Sequence, residues 1–344
     1  MAGTSAGYRL YVGVDIAADT FTAAWRLAGG RPTTPLACEQ TPAGYAGLQR
    51  RLMATEVTSA YALVVMKATG NYWVALAIAL HEAGDRVAVV NPRQAHHFAT
   101  AQLRRAKTAA LDARDLAQLA AALQPAPWLP PPAVYHEARQ RLVARDGLRA
   151  MLTQARNQRH ALLQWPVVVE GVRQHLDELI ADLDRRIASL EGEIAAALSE
   201  SVWAESLACL TSAPGIGLVT AAWLLVGTLS FTLCAGPEAL TADAGLAPMP
   251  RESGRSVRGR PQIGHDGNGR LRTALYMATR SAAGYNPAIK AFYARLRAVG
   301  KPRKVARCAA ARTLLHLAWA LGTKRQRFDP DHKHQHEALP TLAA

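Results

Sequence analysis

The chain has 344 residues, half of them hydrophobic and 19% charged, which argues against a disordered tail and gives enough length for two domains with sizeable cores. Its four cysteines, Cys38, Cys209, Cys234 and Cys308, are far apart and form no CxxC, arguing against a disulfide framework or a zinc knuckle and for a reducing cytosol. The first residues lack the layout of a signal peptide and no apolar run reaches about 18 residues, so the reading is a soluble cytoplasmic protein with no membrane partner. The formal net charge of +14 points instead to a polyanion.

In chain order, "YRLYVGVDIAADTFTAAWRL" (8–27) predicts two strands around a short turn, the first ending in Asp15. A third strand is expected near 33–39 and a helix in "PAGYAGLQRRLMA". The hydrophobic run 60–66 predicts a buried strand with Lys67 at its end, followed by a helix over 71–83. "DRVAVVN" (85–91) reads as a short buried strand, and 92–102 and 107–123 as helices. The order βββαβαβα, with an acid closing the first strand, is a ribonuclease-H-like α/β layout.

"QPAPWLPPPA" (124–133) is a proline-rich break and a natural domain boundary. Beyond it, helix-forming sequence continues to about 199. Leu176, Leu179, Leu183, Ile187, Leu190, Ile194 and Leu198 recur every three or four residues, the pattern of a long amphipathic helix in a coiled coil or helical hairpin. It reads as a scaffold arm or a dimer surface. "LTSAPGIGLVTAAWLL" (210–225) has the helix–hairpin–helix form. Its Gly215 and Gly217 would expose backbone N–H groups at a helix start, able to grip a phosphate or serving only as a turn. The sequence beyond this point reads as mostly α-helical, and the tail from Asp329, with His332, His334 and His336, as disordered and solvated. The resulting division is 1–123, 124–200, 201–328 and 329–344.

The positive charge is concentrated. From Arg251 to Arg327 there are eighteen Lys/Arg and two acids, Glu252 and Asp266, while the rest of the chain is slightly acidic. A basic C-terminal half on a neutral body suits docking on a phosphate backbone.

Ribonuclease-H-like nucleases hold two divalent ions with carboxylates, and hard ions such as magnesium and manganese require oxygen ligands. Asp15 is placed for this role. Asp112 and Asp115 in "KTAALDARDLA" share one helical face, and Asp115 reads as a surface acid paired with a neighbouring arginine.

"YVGVDIAADTFTAAW", "VVMKATGNYWVALAIAL", "VAVVNPRQAHHFA" and "RRAKTAALDARDLA" resemble the N-terminal domain of insertion-sequence 110 family transposases. "LTSAPGIGLVTAAWLL", "ALTADAGLAPMPRESGRSVRGR", "GNGRLRTALYMATRSA" and "NPAIKAFYARLRAVGKPRKVARCAAARTLL" resemble their C-terminal domain. The resemblance covers nearly the whole chain in family order. It implies a recombinase that moves its own element with a structured bridge RNA, built from a RuvC-like domain with a DEDD carboxylate set and a second domain carrying a nucleophilic serine. The implied cofactor is Mg2+, and the implied partners are element-end and target DNA, the guide RNA and further copies of the chain as a dimer or tetramer. The implied setting is a bacterial cytoplasm, with nucleoid association when bound to DNA.

Mapped by motif, Asp15 is the first acid and Asp112 the last, both catalytic and metal-binding. The second and third acids fall at positions 67 and 109, where this chain has Lys67 and Ala109. A lysine in place of a glutamate changes the local charge by two and puts a cation where a metal should sit. At ~4 Å and an effective dielectric of ~20, each unit charge matters by roughly 4 kcal/mol. Lys67 is therefore expected to pair with Asp15 and fill the site. Replacement of a lost ligand by Asp115 or Glu56 has no spacing argument behind it.

Ser253 in "PRESGRS" matches the family nucleophile; without the resemblance it would read as a Ser-Gly turn in a basic loop. Arg251, Arg255, Arg258 and Arg260 surround it and could clamp a scissile phosphate. The remaining nucleic-acid contacts are expected from Arg104, Arg105, Lys107, Arg270, Arg272, Lys301, Arg303 and Lys304. A non-catalytic DNA- or RNA-binding protein of the same fold is the alternative. A Holliday-junction nuclease fits less well, because it explains neither Ser253 nor the second domain.

Overall fold

The computed structural model describes residues 7–103, 108–253, 257–264 and 266–331. The chain divides into two compact units, Met1–Pro130 and Pro131–Ala344.

The first unit contains a five-stranded mixed sheet formed by β1 (Leu10–Ile16), β2 (Thr20–Leu27), β3 (Leu36–Glu39), β4 (Ala62–Lys67) and β5 (Arg86–Val90) in the order β3-β2-β1-β4-β5. The meander β1-β2-β3 is antiparallel, while β1, β4 and β5 run parallel. The two central strands are buried almost throughout, as strands covered on both faces must be. Among the described residues, the helices of this unit are α1 (Pro42–Met53), α2 (Trp73–Glu82), α3 (Pro92–Ala101), α4 (Ala109–Leu123) and, leading into β4, a single 3-10 turn at Ser59–Tyr61. The mixed α/β arrangement is consistent with a RuvC or ribonuclease-H-like domain.

Strand periodicity sorts the core into two layers. Leu10, Val12, Val14, Val64 and Met66 pack with Leu48 and Leu52 of α1 and Leu76 and Leu80 of α2. Tyr11, Leu63, Val65, Ala88 and Val90 face the other way, onto Leu116, Leu119 and Ala120 of α4. Helix starts are set locally: Thr41, Asn91 and Thr108 each accept a backbone N–H at the first turn, the first two followed by proline. The proline-rich segment after α4 is tied to the β5 edge: the Trp128 amide donates to Val87 O at 2.6 Å, and its ring packs edge-on against Trp73.

The second unit comprises α5 (Ala133–Leu162), α6 (Glu170–Ser199), α7 (Ala204–Thr211), α8 (Leu218–Thr228), α9 (Pro237–Asp243), the hairpin β6 (Pro248–Ser253) and β7 (Val257–Ile263), α10 (Gly269–Tyr285), α11 (Pro287–Ala298) and α12 (Arg303–Lys324). The start of α5 (Val134, Ala138, Leu142) and the end of α6 (Ile194, Leu198) are built into the same core as Leu224 of α8, Leu275 of α10 and Leu314 of α12. Further out the two long helices pack on each other through Leu152, Ala155, Leu183 and Ile187. The α6 stripe, open in sequence between scaffold and dimer surface, is thus taken up by α5 of the same chain at Leu183 and Ile187. Leu179 remains exposed. The segment around Ser253, which reads from sequence as a Ser-Gly turn in a basic loop of a mostly α-helical region, is flanked by the two strands of the β6–β7 hairpin. Among the described residues no helix is long and apolar enough to cross a membrane.

Two predictions follow from this packing. Leu183→Asp combined with Ile187→Asp removes, at each site, burial worth about 2–5 kcal/mol and adds a carboxylate to an apolar contact. Far-UV circular dichroism should show lost helicity; undiminished helicity would mean that the α5–α6 contact does not hold the pair together. The second concerns Asp85, which is 5% exposed. Burial pushes its pKa from 3.8 up to about 6, and a hydrogen bond with Ser59 opposes this. The folded state therefore holds this proton more tightly than the unfolded chain, so the contribution of Asp85 to stability falls as pH rises through that interval. Asp85→Asn should raise the urea midpoint at neutral pH, with the gain shrinking toward pH 4.

Candidate functional site

The site at the end of β1 and β4 is set by alternation and by one close approach. Counting by twos, Tyr11, Gly13 and Asp15 on β1 point to the α4 face, as do Leu63, Val65 and Lys67 on β4. The parallel register pairs Val14 with Met66, so the next residues, Asp15 and Lys67, stand side by side. Helix α4 crosses directly on Gly13, where an added Cβ would lie 2.2 Å from both Ala113 O and Ala117 N. Only glycine permits that approach, and it brings the first turn of α4, with Asp112, over the strand ends.

Lys67 Nζ lies 2.9 Å from Asp15 Oδ1 and 2.8 Å from Asp112 Oδ2. The lysine side chain is 18% exposed and the two carboxylates 15% and 21%. Burial lowers the Lys67 pKa, but the hydrogen bonds to Asp112 and Asp15 and their charges outweigh it and hold the ammonium above the ordinary lysine value. The expected Lys67–Asp15 pair is present, and Asp112 closes it into a three-member cluster.

These residues do not fit a magnesium pair. Mg2+ needs near-octahedral oxygen ligation at about 2.0–2.1 Å, whereas the space between the two carboxylates is filled by a three-donor cation. Among the described residues no group of three or more His, Cys, Asp or Glu could hold a metal ion.

The cluster opens into a cavity of about 780 Å³ also lined by Thr69, His96, Thr100, Thr108 and Asp115. Ala109, the first residue of α4, is on its wall. The reading of Asp115 as a surface acid is corrected: it is 6% exposed, because the spacing that puts Asp112 over the strand ends turns Asp115 in toward the sheet. Glu56 occupies a left-handed turn after α1 and does not line this cavity. The contributions of Thr69, His96 and Thr100 escaped the sequence reading, since they converge only through the loop after β4 and the packing of α3.

In the second unit, Ser253 ends β6 and pairs in register with Val257 across the tip of the hairpin. Arg251 and Arg258 belong to the same ladder, opposite Gly259 and Glu252 respectively, and Arg260 lies on β7. Arg104, Arg105, Lys107 and Arg255 lie outside the described residues, as do His332, His334 and His336.

The other basic positions divide by their partners. The Arg270 guanidinium stacks 5.2 Å from the Trp223 ring centre and lies 3.7 Å from Asp146. Arg272 donates to Asp266 O at 2.9 Å and Ala244 O at 3.4 Å, bracing two loops. Lys301, Arg303 and Lys304 are exposed at the start of α12, and among the described residues no ion pair involves them.

The Pro-Gly-Ile-Gly turn joins α7 to α8 with Ile216 buried. Gly215 has φ +99°, and a Cβ there would lie 2.5 Å from Ala282 Cβ of α10, so packing alone accounts for that glycine. Gly217 precedes α8 with open space where its Cβ would be.

Comparison with known proteins agrees with this architecture. Residues 12–165 match a transposase family of the DEDD, IS110 type, and residues 207–294 match the family described as transposase IS116/IS110/IS902. The chain is 28% identical over 323 residues to the pilin gene-inverting protein of Moraxella bovis, covering 93% of this chain and 98% of that protein. It is 29% identical to the Moraxella lacunata protein of the same description over 93% and 98% of the two chains. It is also 29% identical over 200 residues to an insertion element IS900 protein of Mycobacterium paratuberculosis, covering 58% of this chain and 47% of that one. DEDD transposase domains depend in general on divalent metal, and the ion cluster at Lys67 departs from that pattern. With matches in both of its structural units, the chain belongs to the IS110 family of transposases and DNA recombinases.

Proposed function

We propose that this protein binds element-end and target DNA together with a guide RNA, and that in its present sequence it does not complete strand exchange. One observation carries the second half: the Lys67 ammonium bridges Asp15 and Asp112 in the place where the family resemblance implies magnesium. Ser253 is the intended nucleophile. Its Oγ would bond to a DNA phosphorus while the strand's own P–O bond breaks, with the serine proton passing to solvent or the departing oxygen. The N-terminal carboxylates as they stand supply no metal to that step.

Nucleic-acid binding is supported by where charge is left unneutralised. On the arm, Arg141, Arg145, Arg156, Arg159 and Arg186 each pair with an acid. At the start of α12, Arg303 and Lys304 occupy a first turn with no acid in it. Cations there oppose the helix dipole, a local cost that a phosphate would relieve. These residues, with Lys301, are the proposed backbone contacts. Assembly into a dimer or tetramer belongs to the same proposal, with surfaces other than the Leu183–Ile187 contact mediating it.

If roughly 6–10 phosphates are contacted, affinity for nucleic acid should fall roughly 10³–10⁵-fold between about 50 and 200 mM salt. Lys301→Ala with Lys304→Ala should flatten that slope; a curve already flat in the unaltered chain would remove the electrostatic case.

The cleavage test is a reconstruction. Lys67→Glu combined with Ala109→Asp should give magnesium-dependent cleavage of element-end DNA in the presence of guide RNA. Either change alone should do much less, since one leaves the cation and the other leaves a carboxylate missing. Ser253→Ala in the rebuilt protein should abolish the covalent protein–DNA adduct and spare binding. Robust recombination by the unaltered chain would overturn the proposal.

A further inference from the structure

Asp15 and Asp112 come from different elements, the end of β1 and the first turn of α4, yet both lie within 3 Å of one nitrogen. Two carboxylates so placed in a partly buried site repel each other when nothing positive stands between them. That repulsion acts on the contact between α4 and β1, where the helix backbone lies directly against Gly13. Lys67 is the last residue of β4, whose preceding residues Leu63, Val64, Val65 and Met66 are fully buried. The lysine backbone is therefore fixed by the sheet, and its ammonium is held at the acids without the association cost that a free ion would face.

We infer that Lys67 is a tethered cation that holds α4 against β1, making the N-terminal unit stable and its acid pair closed without any divalent metal. The substitution thus does more than remove a ligand: it replaces an exchangeable ion with one that cannot dissociate. The inference shares the ion cluster with the proposed function, but stability and metal binding test it, not cleavage, so either can fail alone.

The experiment is thermal unfolding of the full chain in EDTA and in millimolar Mn2+, alongside Mn2+ binding followed by electron paramagnetic resonance. The unaltered protein should show the same unfolding midpoint in both conditions and no tightly bound Mn2+. Lys67→Met should lower the midpoint in EDTA by several degrees, and Mn2+ should recover part of the loss as it enters between the freed carboxylates. Lys67→Arg, which keeps the charge, should stay indifferent to Mn2+. A Mn2+-dependent rise for the unaltered chain, or a methionine variant as stable as the parent in EDTA, would overturn the inference. Should the methionine variant not fold, adding Asp15→Asn removes the repulsion as well and must restore folding; failure to do so would equally overturn it.

Discussion

The close approach of α4 to β1 is the constraint on which the N-terminal unit depends. With no side chain at Gly13, the helix backbone sits directly on the strand, and three consequences follow from that contact. Leu116, Leu119 and Ala120 seal one face of the sheet. Asp112 is carried over the ends of the parallel strands. Asp115, one helical turn further on, is turned into the interior instead of toward solvent. A bulkier residue at position 13 would force the helix away and separate the acids from each other.

With the helix at that distance, the charge at position 67 decides the chemistry of the cavity. An acid there would add to the demand for metal; a lysine satisfies two carboxylates at hydrogen-bond distance. Desolvation works against the ammonium, yet the two partners more than compensate. The result is a well-formed ion cluster in an intact fold.

Charge is organised differently in the second unit. The arm carries many arginines, but most of them pair with acids on the same or the adjacent helix, and each such exposed pair contributes little to stability. The basic residues near α12 have few acids to meet. Arg270 and Arg272 show that sequence position within a basic region does not fix a role, because one stacks on Trp223 and the other braces loop carbonyls.

The sequence alone determined the order and approximate extent of the N-terminal elements, because strand alternation and buried apolar runs are local signals. It also determined the polarity of the molecule, since the excess of positive charge beyond Arg251 is a matter of composition. The pairing of Lys67 with Asp15 was legible too, once both were read as the ends of strands. Tertiary structure decided the rest. That Asp112 joins the pair, and that Asp115 is buried, depends on how near α4 comes to the sheet, a distance set by Gly13 across about a hundred residues of chain. The α6 stripe could have met a second copy or its own neighbour, since periodicity defines an apolar face and not its partner; α5 resolves it. The β6–β7 hairpin went unseen because its strands are rich in arginine and proline, and it exists through cross-strand pairing, an interaction that no single segment encodes.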